Sequence, residues 1–309
     1  MNRIDAVIVN FGRRAEVLDV LRSLSQSSTP VEHVFVLNYG LPESVQDEQR
    51  AAYPGVHATT LSVNRGYAGN NNLGIHAALQ SGADWVLVLN DDVELDARCI
   101  ELLLAAGATD PRIGMVGPRL YHYDEPDVIQ SDGGLFDASW RAAHAAQNER
   151  DYGTPMLPSD MAWLSGCVLL VRRALIEQTG MLDERFFLYW EEVEWCRRAI
   201  REGWRIVHEP AARAWHKGVQ RNYRPRPEVS YYMTRNRLLL LSLHRAPLRA
   251  WITAWGETAH AQIGSLLHRR APENRRMAWR GLCDFLRGRF GPLPQTPDAG
   301  LVRLSKEAS

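Results

Sequence analysis

The chain has 309 residues, 45% hydrophobic and 23% charged, with 36 Lys+Arg against 36 Asp+Glu. That is ordinary for a globular protein with one large core or two modest ones. Four cysteines (Cys99, Cys167, Cys196, Cys283) stand far apart with no CxxC spacing. This argues against a disulfide framework or a zinc site and fits a reducing, cytoplasmic compartment. No run of 18 apolar residues predicts a membrane span, and Met1–Val9 reads as a strand, not a signal peptide.

The zero net charge hides an asymmetry. Residues 1–218 carry 20 Lys+Arg and 30 Asp+Glu, whereas residues 219–309 carry 16 and 6. A basic tail is thus joined to an acidic body. The two can simply dock on each other. The tail also suits the anionic inner face of the cytoplasmic membrane, at about 1 kcal/mol per basic residue. An acidic body without a recognition motif argues against nucleic acid.

The first hundred residues alternate strands with helical patterns. Ala6–Asn10 is read as a strand, and Ala15–Ser25 as a helix with Val17, Leu18, Leu21 and Leu24 at helical spacing. Val34–Leu37 and Val56–Ser62 are further strands, Asn71–Ser81 a helix, and Trp85–Leu89 a fourth strand. This rhythm predicts an α/β fold with a mostly parallel sheet flanked by helices. Cys99–Ala106 continues as a helix. Met115–Pro118, Gly133-Gly134 and Trp163–Arg173 then suggest strands among long loops. Glu191–Glu202 reads as a helix closed by Gly203, and Trp204–Val207 as a strand before a turn at Glu209-Pro210. Arg224–Pro227 breaks the chain. Val229–Leu243 and Trp251–Leu267 form amphipathic helices of the tail, and the last twenty residues read as frayed.

Four places carry chemistry. Trp85–Leu89 ends in Asn90-Asp91-Asp92. Carboxylates at the carboxyl end of a buried strand sit where open α/β sheets bind ligands, and two adjacent acids call for a cation. Asn64–Gly74 holds three glycines and four asparagines at a helix start, which suits phosphate; Arg65 can pair with a diphosphate, and Gly69 and Asn70 lie at its centre. It is neither GxGxxG nor GxxxxGK[ST]. The aromatic run Phe186–Trp190 ends in Glu191-Glu192, followed by Glu194. A carboxylate beside aromatic surface can act as a general base, while Glu194 reads as a partner of Arg197 or Arg198. His216, after a further strand, gains weight as a ligand if it returns to Asp91-Asp92 in space.

In this order the motifs resemble the inverting nucleotide-sugar glycosyltransferases of family 2, with the A-type fold. The resemblance covers roughly Ile4 to Leu243. It is strongest at Asn64–Gly74, Leu87–Asp92, Ser165–Arg173, and Phe186–Arg198 with Trp215-His216. Tyr231-Tyr232-Met233-Thr234-Arg235-Asn236-Arg237 also looks like members that build bacterial surface polysaccharides, rhamnosyltransferases among them.

The resemblance implies a donor half over residues 1–110, an acceptor and catalytic half over 111–223, and a basic helical tail over 224–309. It makes Asn90-Asp91-Asp92 the counterpart of the family's DxD, with Asn90 in place of the first Asp. Asp92 is then the metal-binding acid and His216 an additional ligand to Mg2+ or Mn2+. Glu192, or its neighbour Glu191, is the base, where the family usually has Asp. Asn10 and Asn38 would line the base pocket, Asn38 accepting from a pyrimidine N3–H. Asn38-Tyr39 stands where the family has Asp-Asn. The implied partners are a UDP- or dTDP-sugar donor, dTDP-rhamnose among them, and a glycan or glycolipid acceptor. A sugar nucleotidyltransferase, or a transferase-like scaffold without activity, shares parts of the pattern.

Overall fold

Strands that are apolar on both faces, each followed by a helix, build a single sheet in this computed structural model, which describes residues 3–218, 226–266 and 272–293. β1 (Ile4–Asn10), α1 (Arg14–Ser25), β2 (His33–Tyr39), α2 (Val45–Ala52), β3 (Val56–Leu61), α3 (Gly66–Ser81) and β4 (Trp85–Asn90) alternate as expected, α2 being unforeseen. Then come β5 (Val93–Leu95), α4 (Cys99–Ala108) and the long β6 (Ile113–His122). Short strands β7 (Ile129–Ser131), β8 (Gly134–Phe136), β9 (Ala142–His144) and β10 (Ser159–Asp160) follow. β11 (Val168–Arg172), α5 (Arg173–Thr179), α6 (Glu191–Arg201) and β12 (Arg205–His216) complete the body, and α7 (Pro227–Leu243), α8 (Leu248–Leu266) and α9 (Pro272–Leu286) form the tail.

The main sheet runs β10-β12-β6-β11-β4-β1-β2-β3. β1, β2, β3 and β4 are parallel, as are β6 and β12, while β11 lies antiparallel between β4 and β6. Successive strand residues point to opposite faces, and both faces are dry. Ile4, Ala6, Ile8, Trp85, Leu87 and Leu89 pack with Leu21 of α1 and Leu103 of α4. Val7, Val9, Val86 and Val88 pack on the other side with Ile75 of α3, Val193 of α6 and Leu240 of α7. A smaller core joins α7, α8 and α9 through Leu238, Leu241, Ala254 and Leu282.

Two sequence expectations change. The helix read from Asn71 begins at Gly66, so the Gly/Asn run forms its first turns. Gly66 adopts a left-handed φ of +74° that turns the chain into the helix, and Asn64 Oδ1 accepts its N–H at 2.7 Å. Glu209-Pro210 is not a turn. β12 runs through it, and its register with β6 slips between Glu209 and Arg213. A bulge there accommodates a proline that cannot donate to the ladder. Gly203 does close α6, with φ +92° just past the last turn. All four cysteines are free, and no described helix is long and apolar enough to cross a membrane. Arg224-Pro225, Leu267 and residues 294–309 lie outside the described residues.

Candidate active site

The parallel strands end side by side. Asn10 of β1 is in register with Asn38 of β2, and Val9 with Asn90 of β4. The three amides therefore share the carboxyl edge of the sheet, the position where such folds bind ligands. The chain then turns at Asp91-Asp92 into β5, which pairs with β12 so that Val93 faces His216. This pairing returns His216 to the acidic turn. Its Nε2 lies 3.1 Å from Asp92 Oδ1.

The carboxylates are buried and need compensation. Arg13 provides it, pairing with Asp91 at 3.2 Å and also with Asp92. The Phe11 N–H donates to Asp91 Oδ2 at 3.0 Å. The two acids respond differently. Burial raises the Asp91 carboxyl to about 7 against the pull of Arg13. Burial also opposes ionisation of Asp92, but His216 and Arg13 outweigh it and hold its carboxyl below the usual range. Burial alone would discharge His216, yet the Cys167 sulfur and the Asp92 carboxylate raise its imidazole well above the ordinary histidine range.

These residues fit a divalent cation as a two-ligand site. Asp92 Oδ1 is buried, and its close partner among the described residues is His216 Nε2. His216 Nδ1 contacts Gln130 Oε1 at 3.1 Å, which fixes the ring with Nε2 toward Asp92, the outer support expected of a metal-binding imidazole. A Cβ on Gly218 would lie 2.2 Å from Asp92 Oδ2 and 3.3 Å from His216 Nε2, so only glycine lets the chain pass there. Among the described residues no three His, Cys, Asp or Glu side chains gather as a metal cluster. Phosphate oxygens and water would complete the shell, as is usual for Mg2+.

The second acid pair opens α6. Glu191 is buried and Glu192 half-buried, and one carboxylate oxygen of each is buried without a partner among the described residues, as is Trp190 Nε1. Burial and the neighbouring Glu192 raise Glu191 well above the usual range. Burial raises Glu192 to about 6. Burial in one dry pocket thus pushes both carboxyls up and disfavours two adjacent charges, Glu191 being raised further than Glu192. Glu194 instead pairs with Arg198 at 2.8 Å and faces His244 at 3.4 Å.

Gly166-Cys167, just before β11, joins the two acid pairs. Cys167 Sγ lies 3.5 Å from Asn90 Nδ2 and 3.7 Å from His216 Nδ1. The Gly166 carbonyl accepts from Tyr67 Oη at 2.6 Å, and a Cβ on Gly166 would sit 3.5 Å from Glu192 Cβ. Sequence reasoning missed Arg13, Tyr67, Gln130 and the bridging role of Cys167. Tyr67 and Cys167 lie inside motifs already singled out. Arg13 left a faint signal as the third residue after Asn10, whose Oδ1 accepts the Arg13 N–H at 2.9 Å.

Several expected donor contacts are placed differently. Asn38 Oδ1 accepts from Asn10 Nδ2 and from Gln49 Nε2, both at 2.9 Å. Both lone pairs are in use, so the expected bond from a base N3–H finds no free acceptor on Asn38 in this arrangement. Asn70 is fully buried and braces its own loop, its Oδ1 accepting the Arg65 N–H at 3.1 Å. Gly69 faces the Arg65 and Glu184 side chains with no room for a Cβ. The Arg65 side chain is exposed at the start of α3.

The family model described as "Glycosyltransferase like family 2" matches residues 2–236. The chain belongs to this family. One relative is the N-acetylglucosaminyl-diphospho-decaprenol L-rhamnosyltransferase of Mycobacterium tuberculosis, 28% identical across 86% of this chain and 94% of its own length. Another is the dTDP-rhamnosyl transferase RfbF of Shigella flexneri, 22% identical across 80% and 82%. Among solved structures, GalNAc-T7 with UDP, GalNAc and Mn2+ aligns with a TM-score of 0.60 at 12% identity, covering 93% of this chain and 56% of that one. The likeness gives the architecture its class, the A-type glycosyltransferase fold.

Asp92→Asn keeps the side-chain shape and removes the charge. Titration with Mn2+ in the presence of UDP or dTDP should show nucleotide binding that no longer strengthens with metal. Unchanged metal dependence would remove Asp92 from the ligand set.

Proposed function

We propose that this glycosyltransferase inverts the anomeric centre of a UDP- or dTDP-sugar, with dTDP-rhamnose the leading donor, as it moves the sugar to a hydroxyl of a lipid-linked surface glycan. The observation that carries the reading is the meeting of the Asp92–His216 pair with the Glu191–Glu192 pair across Gly166-Cys167. The two rhamnosyl-transferring relatives favour the donor, and the lipid-linked name of the first favours the acceptor.

Asp92 and His216 would hold the metal. Bound Mn2+ or Mg2+ supplies charge neutralisation for the diphosphate as it leaves. Glu192, ionised above about pH 6, takes the proton of the acceptor hydroxyl. The acceptor oxygen bonds to the anomeric carbon as the bond to the diphosphate breaks, and one displacement inverts the centre. Burial and the neighbouring Glu192 push the Glu191 carboxyl up, which disfavours two neighbouring charges in a dry pocket. The half-buried Glu192 is exposed enough to meet a hydroxyl, whereas Glu191 is closed in.

Glu192→Gln should lower kcat by about 10²–10⁴-fold while leaving the Kd for UDP or dTDP within twofold. Wild-type turnover by that variant would sink the assignment. In the wild type, kcat should climb as pH rises through about 6, because the base works only when deprotonated. A flat profile from pH 5 to 8 would count against Glu192 as the base.

The tail supports contact with an anionic membrane face. Leu248, Ile252 and Trp255 are exposed on α8 at helical spacing, with Arg249 beside them. Trp279 and Leu286 are exposed on α9, near Arg276 and Arg287. Such an apolar face rimmed by cations suits lipid head groups. The full chain should sediment with phosphatidylglycerol vesicles, and Ile252→Ser with Trp255→Ser should release it. Equal recovery of both proteins with the vesicles would dismiss this face as the contact.

A further inference from the structure

The chain reaches Glu191 through an unusual path. Phe187, Tyr189 and Trp190 all have positive φ, at +64°, +67° and +77°. None is glycine, and left-handed backbone is unfavourable for bulky residues. Such a run persists only if its surroundings impose it. Two neighbouring residues of α7 do so. Asn236 Nδ2 donates to the carbonyls of Phe186, Leu188 and Tyr189, each at 2.8 Å. Arg235 Nη2 donates to the carbonyls of Arg185 at 3.1 Å and Phe186 at 2.9 Å. Arg235 Nε donates to Asn236 Oδ1 at 2.8 Å, which orients the amide toward those carbonyls.

Both side chains are fully buried. The Arg235 guanidinium has no direct carboxylate partner among the described residues. Asp284 of α9 stands one hydrogen bond further, behind Tyr231, whose Oη donates to it at 3.0 Å. Burying a cation among carbonyls and Tyr231 and Tyr232 rings is a costly way to stabilise a fold. It is an effective way to fix the Arg185 and Phe186 carbonyls and to orient the Asn236 amide that holds Leu188 and Tyr189. The opposite side of the segment is held by the donor-side helix. The Ala68 N–H of α3 donates to the Phe187 carbonyl at 3.4 Å, and a Cβ on Gly66 would lie 2.1 Å from that oxygen.

We propose that Arg235 and Asn236 are positioning residues for sugar transfer, holding the left-handed run Phe187–Trp190 so that Glu191 and Glu192 face the acceptor. This rests on reading that acid pair as the base. The same clamp ties catalysis to the tail. Arg235 Nη1 donates to the Gly291 carbonyl at 2.6 Å, and the Tyr232 Oη accepts the Leu293 N–H at 2.8 Å, both beyond α9. The tail helices are therefore part of the catalytic apparatus, and no substrate contact by them is needed for that.

The test compares Asn236→Asp, Arg235→Lys and Arg235→Met in the full-length protein. Asn236→Asp keeps the volume but sets a carboxylate against three carbonyl oxygens. Its kcat should fall by about 100-fold, the scale of a small misplacement of reacting groups, while the Kd for UDP or dTDP stays within twofold. Arg235→Lys retains donors and charge, so it should keep more activity than Arg235→Met. Amide exchange across residues 186–192 should quicken in both Asn236→Asp and Arg235→Met. Wild-type kcat in folded Asn236→Asp, or a lowered Tm with kcat of the folded fraction intact, would overturn the proposal. If the wild type transfers no sugar from any UDP- or dTDP-sugar, the functional reading fails. The exchange measurement still decides the clamp, since unchanged protection in Asn236→Asp refutes it. Should Asn236→Asp not fold, wild-type exchange across residues 186–192 in Arg235→Met, or a kcat in Arg235→Met equal to that of Arg235→Lys, would refute it as well.

Discussion

Two pairs of neighbouring carboxylates are buried in one site, and like charges in a dry interior must be neutralised. Each pair meets that demand differently. Asp91 and Asp92 stay near cationic partners, Arg13 on one side and His216 on the other. Among the described residues no cation pairs with Glu191 or Glu192, and burial raises both carboxyls instead. The first arrangement suits an exchangeable positive charge. The second leaves one carboxylate able to accept a proton near neutrality.

The sheet turns that electrostatic problem into a site. Parallel strands bring Asn10, Asn38 and Asn90 to a common edge, and the β5–β12 ladder carries His216 back over a long sequence distance. The segment before α6 then needs support from elements far along the chain. It obtains support from α3 on one side and α7 on the other. Helices that bury the sheet thus also hold the acids.

Much of this was legible in the residues. The alternation of strands and helices, the acidic turn after β4 and the acids opening α6 follow from local periodicity and helix-start chemistry. What stayed hidden was long-range. The saturation of Asn38 depends on Gln49 of α2, a short helix whose mostly polar residues left no apolar stripe. Pro210 suggested a turn because local propensity carries no record of a bulge beside β6. Arg13 drew no role from its own neighbourhood, because its meaning comes from acids some eighty residues later. Arg235 and Asn236 stood inside the Tyr231–Arg237 motif, but nothing nearby in sequence announces the carbonyls they bind.

The reversed strand β11 has a consequence for how this architecture can vary. A parallel strand would lend the edge its last residues, but β11 runs the other way and brings the residues just before its start, Gly166 and Cys167. The Asn90 N–H donates to the Cys167 carbonyl at 3.0 Å, so the start of β11 is anchored to the end of β4. Residues ahead of that anchor stay tied to the site, since Asn148 and Glu149 share backbone bonds with Ile129, whose neighbour Gln130 holds the His216 ring. Asp151 adds a pair with the buried Arg119 and accepts from Tyr121 Oη at 2.5 Å, so length and composition are least constrained in the exposed stretch from 152 to 155.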